Sequence, residues 1–221
     1  MRKWILTLAL AFSVTLPDTS TQAMISDDHH HPVEKFSSDE HNYLIPDSVQ
    51  DRYLAVKGMK ITGFSKEGLD KLQEAFSLLE EVVNSQEFKD RVINFKNSKG
   101  ERSFASNNGL TNEEIYEIFM EGKETLQMDT PGEMNFYLQL YNRPWSKVIG
   151  YTTPTTNVIN INWKYFRNFE PHEVASNLAH EWTHKIGFGH KSAKEHDSAP
   201  YAIGYIITDI ATKTFKMKKL H

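Results

Sequence analysis

His180-Glu181-Trp182-Thr183-His184-Lys185-Ile186-Gly187-Phe188-Gly189-His190 is the stretch from which the rest of the chain is read. Glu170-Pro171 opens it as a helix, because a proline in the first turn lacks only an N–H that would have no helical partner there. On a helical wheel Ala175, Leu178, Trp182 and Ile186 share one side, and Glu173, Asn177, His180 and His184 share the other. The pattern predicts a helix that packs one face and offers the opposite face to a ligand. His180 and His184 stand four residues apart, so their imidazoles project one turn apart and can meet a single tetrahedral zinc ion at roughly 2.1 Å each. Glu181, one step round, is placed to hydrogen-bond a water on such an ion without ligating it, which a general base requires. Gly187 tolerates a left-handed backbone, so it can end the helix and turn the chain for His190 to supply a third ligand. An ordinary helix carrying histidines would need neither Gly187 nor His190.

Composition narrows the chemistry further. The 221 residues contain no cysteine and ten histidines. Thiol catalysis, thiolate metal sites and disulfide frameworks are therefore excluded, leaving His and carboxylates as the donors for a transition metal. A hydrophobic share of 39%, a charged share of 24% and a formal charge of −4 describe a globular chain without the basic patch that nucleic acid would call for.

At the N-terminus Arg2 and Lys3 precede an apolar run from Trp4 to Leu16, and a polar stretch then ends in Thr21-Gln22-Ala23. The run of 13 residues falls short of the roughly 20 that span a bilayer. Residues 1–23 thus read as a signal peptide cleaved near Ala23, with no stable membrane insertion afterwards and a secreted or periplasmic product. Residues 24–49 lack hydrophobic periodicity and include His29-His30-His31, so a flexible polar leader is expected, with residues 50–221 forming one domain.

Within that domain Leu54, Val56, Met59, Ile61 and Phe64 sit near-alternately, which predicts a first strand over Tyr53 to Phe64. From Ser65, a serine cap, Leu69, Leu72, Ala75, Phe76, Leu79 and Val83 recur at helical spacing, continuing or restarting through Phe88, Val92 and Phe95. Thr111 caps a second helix with Glu113 and Glu114 in its first turn. Met134 to Tyr141 and Val158 to Trp163 have strand composition, the latter with Asn160 and Asn162 on a half-exposed face, and Val148 to Tyr151 forms a shorter strand between them. A last apolar helix is expected over Ala202 to Ile210.

The segment His180 to His190 matches every fixed position of HExxHxxGxxH and so resembles the long zinc signature of the metzincin metallopeptidases. A chance match somewhere in the chain is on the order of one in ten thousand. The resemblance implies an α+β fold, with a twisted mixed sheet, long helices and a small C-terminal subdomain after the third histidine. It implies one catalytic Zn2+, peptide-bond hydrolysis of a peptide or protein substrate, and substrate binding by addition to an edge strand, for which Val148 to Tyr151 is the candidate. Metzincins carry a methionine turn beneath the zinc, whereas here no methionine follows His190 until Met217. The stretch Ser198-Ala199-Pro200-Tyr201 stands in its place, which makes Tyr201 a second catalytic candidate, donating a hydrogen bond to an oxyanion.

Three alternatives stay open on the residues alone. Asp209 or His196 could replace His190 as third ligand; the site could bind a peptide or wall fragment without cutting it; or the bond cut could be a non-peptide amide. An aspartate of the leader, Asp27 or Asp28, could occupy the zinc and keep the enzyme latent.

Overall fold

The computed structural model describes residues 22–25, 52–122, 124–126, 131–153 and 155–219. The signal-peptide reading falls almost wholly outside these residues, as do His29-His30-His31, Asp27 and Asp28. The first element is β1 (Gln22–Ile25), and β2 (Ala55–Thr62) follows at the start of the main body. Met59 is 53% exposed although the alternation places it with the core residues. The pairing register of β2 shifts between Gly58 and Lys60, and this irregularity takes Met59 out of step.

Three helices come next: α1 (Lys66–Val83), α2 (Gln86–Ile93) and α3 (Asn112–Glu121). Each begins at a side-chain cap. The hydroxyls of Ser65, Ser85 and Thr111 accept hydrogen bonds from the N–H groups of Gly68, Phe88 and Glu114, all at 3.2 Å. Glu114 reaches back to the Thr111 N–H at 2.8 Å and completes a capping box. Leu69, placed on the core stripe of α1 by its spacing, is instead 43% exposed.

Strands β3 (Glu133–Tyr141), β4 (Val148–Thr152) and β5 (Val158–Asn162) complete a five-stranded sheet of order β1-β4-β5-β3-β2. β2, β3 and β5 are mutually parallel, whereas β4 runs antiparallel to both β5 and β1. The sheet is therefore mixed, as the resemblance implied. Val148 to Tyr151, expected at the edge, is instead covered by β1. Asn162, expected on a half-exposed face, is fully buried. Its amide donates to the carbonyls of Arg143 and Val148 at 3.1 Å each and accepts from the N–H of Arg143 at 3.2 Å, so a buried polar group is satisfied by fastening the β3–β4 connection.

The chain then passes through α4 (Trp163–Phe166) into α5 (Pro171–Lys185) and α6 (Ala199–Lys219). α6 begins three residues before Ala202 and extends well past Ile210, so Ala199-Pro200-Tyr201 form its first turn instead of a tight loop. α5 packs on α1, α6, β4 and β1. Phe76 of α1 stacks on Phe136 of β3 at 5.5 Å, and Phe136 meets Trp182 of α5 at 5.9 Å, making a column through the core. Phe136 and Trp182 are completely buried, and burial of such a side chain contributes about 1.5–3 kcal/mol relative to exposure.

Candidate metal centre

Pro171 occupies the first turn of α5, and Glu173 accepts from the Glu170 N–H at 2.8 Å, so the helix starts where Glu170-Pro171 indicated. The wheel is right about the packed face: Ala175, Leu178, Trp182 and Ile186 are all buried. The other face is not open. His180 and Glu181 are fully buried and His184 nearly so, because α6 crosses above them. Gly204 of α6 makes that crossing close, since a Cβ there would lie 3.6 Å from the Cβ of His180.

The helix ends at Lys185. Gly187 follows with φ +103°, a conformation that side chains other than glycine's rarely tolerate. The reversal brings His190 back, and the ring nitrogens offered by His180, His184 and His190 lie within 4.8 Å of one another. Nε2 of His180 and Nε2 of His184 are 3.2 Å apart. Two ligands on one tetrahedral ion at about 2.1 Å stand roughly 3.4 Å apart, so this spacing suits a shared ion.

The protonation of the rings fits the same purpose. Nδ1 of His184 lies 2.8 Å from the Phe188 carbonyl, which can only accept, so Nδ1 carries the proton and Nε2 keeps its lone pair. Burial pushes the His184 pKa down to about 3 against the opposing pull of that carbonyl. Burial, reinforced by the two neighbouring histidines, holds His180 far below its usual range, and burial also lowers His190. Neutral imidazoles are what a metal requires of its ligands. Three histidines that could bind a metal ion are thus assembled, and burial favours the neutral form of each. Among the described residues they form the only such group of three His, Cys, Asp or Glu side chains.

No family model, no curated protein and no solved structure matches the chain.

The alternative third ligands lie elsewhere. Asp209 pairs with Arg91 at 2.5 Å and Lys213 at 3.2 Å on the outer side of α6. His196 places Nδ1 2.9 Å from the Tyr205 hydroxyl and does not join the cluster. Tyr201, by contrast, is brought in. Its ring is buried and stands 4.6 Å from that of His180 and 4.7 Å from that of His190.

Two features carry no signature in the sequence. Lys185, directly after His184, is buried and donates to Glu124 at 2.6 Å, with its ammonium 5.5 Å from the Trp182 ring and 5.7 Å from the Tyr137 ring. Thr125 donates to the Lys185 carbonyl through both its N–H, at 2.9 Å, and its hydroxyl, at 3.0 Å. The segment before β3 is thereby fastened to the end of the motif helix. Tyr141, at the end of β3, packs on Tyr151 at 5.4 Å. Burial first, then Tyr151 and the nearby charge of Glu181, push its pKa up to about 12, so it remains a phenol. Beside His184 a cavity of ≈ 190 Å³ opens between Thr152 and Thr153 on one side and Gly187 and Phe188 on the other.

Proposed function

We propose that the chain is an exported zinc-dependent endopeptidase of metzincin type, in which His180, His184 and His190 hold one Zn2+ and Glu181 is the general base. The observation that carries this reading is the convergence of three imidazoles, with a carboxylate one residue beyond the first of them. The placement of the motif helix after a mixed sheet supports it, as does the turn at Gly187. The ring of Tyr201, packed against two of the histidines, supports its place beside the reacting atoms.

When bound, the ion would supply Lewis acidity, lowering the pKa of a water molecule towards 7 and polarising a carbonyl group. Glu181 accepts the proton that the attacking water loses and returns it to the nitrogen of the leaving amine. The Tyr201 hydroxyl donates a hydrogen bond to the oxyanion that develops on the former carbonyl oxygen. Strand addition of substrate on β4 would use the outer edge that β1 covers here, where main-chain hydrogen bonds would supply affinity without restricting sequence. The cavity flanking His184, at the end of β4, receives a side chain next to the scissile bond.

The test pairs wild type with Glu181→Gln, both loaded with Zn2+, on an unfolded protein substrate. Equal zinc content with activity about 10²–10⁴-fold lower in the variant is the expected result, the range typical of a lost general base. Undiminished cleavage by Glu181→Gln would overturn the assignment.

A further inference from the structure

The connection between β3 and β4 carries a tryptophan that the core does not use. Trp145 is 96% exposed, the most exposed of the large hydrophobic side chains among the described residues. It does not sit on a loose loop. The Ser146 N–H donates to the Arg143 carbonyl at 3.1 Å, and the Ser146 hydroxyl accepts from the Val148 N–H at 3.0 Å. The Ser146 carbonyl in turn accepts from the Lys164 ammonium at 3.0 Å and the Tyr165 hydroxyl at 3.1 Å, so α4 holds the turn from behind. Asn162 fixes the other end at Arg143, and the ring of Pro144 restricts the backbone in between. An indole held in water is unfavourable, and a turn already fastened in that posture leaves little ordering for binding to impose.

The charge around Trp145 is one-sided. From Met134 to Phe169 the chain has no carboxylate, and its charged side chains are Arg143, Lys147, Lys164 and Arg167, four cations within a chain of formal charge −4. Arg143 and Lys147 flank Trp145 at two residues on either side and are exposed, as is Arg167 just past the end of α4. The charge of the whole chain conceals this local excess.

We infer that the β3–β4 turn is a peripheral docking site for an anionic lipid surface, with Trp145 entering the headgroup layer and the flanking cations meeting lipid phosphates. An indole bordered by Lys and Arg is the composition that settles at a membrane interface, where the ring reaches the acyl boundary and the cations stay with the headgroups. A soluble polyanion would engage the cations and leave the indole idle. The anchor of a protein interface is ringed by near-neutral contacts that exclude water, not by exposed charges of one sign. The turn leads directly into β4, whose far end, about 17 Å away along five residues, borders the cavity beside His184. Adsorption through this turn therefore sets the candidate metal centre close to the lipid, and the docking itself is independent of the peptidase reading.

The test uses the 221-residue chain, whose lack of cysteine lets Asn142→Cys, an exposed position in the turn, carry a single environment-sensitive fluorophore. The label reports on this turn and not on the apolar run from Trp4 to Leu16. It is titrated with vesicles of phosphatidylcholine and phosphatidylglycerol in equal parts, with vesicles of phosphatidylcholine alone, and with heparin as a soluble polyanion. The label brightens on the mixed vesicles, far less on phosphatidylcholine alone, and the brightening weakens as salt is added. In the labelled chain Trp145→Ala raises the lipid concentration required at least about tenfold. Arg143→Gln/Lys147→Gln raises it roughly 25-fold, about fivefold for each cation. Both variants keep the wild-type Tm, because the side chains removed are exposed. A wild-type label that stays dim on the mixed vesicles overturns the docking, whatever the variants do. Binding to heparin as tight as to the mixed vesicles and indifferent to Trp145→Ala reduces the turn to a polyanion contact and overturns the lipid assignment.

Discussion

Tyr201 is the residue on which the chemistry and the packing make separable demands. Its ring is buried against His180 and His190, and that contact survives removal of the hydroxyl. Tyr201→Phe should therefore bind Zn2+ as wild type does and keep its KM, while kcat falls about 10²-fold, the size of effect seen when an oxyanion donor is lost. Steady-state kinetics on a defined peptide measures the split, and an unchanged kcat would reduce Tyr201 to a packing role. At this scale the three histidines and Glu181 are legible because helical geometry converts a spacing of four into a shared face, and a glycine announces the return. Tyr201 is half legible, since the sequence places a tyrosine after the motif but not its ring beneath two imidazoles. The Lys185–Glu124 pair is illegible: its partners are 61 residues apart and follow no period.

Among the elements, β4 packs against α5 with no room for a side chain at position 150. Gly150 permits it. A Cβ at that position would stand 2.9 Å from the Asn177 side-chain oxygen and 3.3 Å from the Asn160 carbonyl. Gly150→Ala should destabilise the fold by about 1–3 kcal/mol through this overlap, measured as a lower urea midpoint with an unchanged slope. A midpoint equal to that of wild type would show that β4 can move away freely. The caps at Ser65 and Thr111 and the proline at the start of α5 could be read ahead of the structure, because capping is a local exchange of hydrogen bonds. Strand order could not, since it depends on which strands meet after loops of differing length have closed. The covering of β4 by β1 was hidden for the same reason: Gln22–Ile25 is separated from its partner by more than a hundred residues and has too short a pattern to signal a strand. Asn162 shows the limit of alternation, because a polar residue on the predicted solvent face proved to be a buried fastening.

For the molecule as a whole, the metal and the fold are coupled through α5. Its histidine-bearing face lies under α6, while its opposite face anchors the aromatic column through Trp182, so two buried imidazoles, and the half-buried His190 that meets them, are held together by the same packing that stabilises the core. An ion that binds only this assembled site must stabilise the folded state by mass action. At a free concentration one hundred times its dissociation constant the gain is about 2.7 kcal/mol. A domain of this size converts that into a rise of very roughly 5–10 °C in Tm. The most direct test measures zinc stoichiometry and Tm with and without added Zn2+ for wild type and His190→Ala. One ion per wild-type chain with a raised Tm, both lost in the variant, is the predicted result. An equal zinc content and an equal shift in the two proteins would place the metal somewhere other than His180, His184 and His190, and would contradict the account.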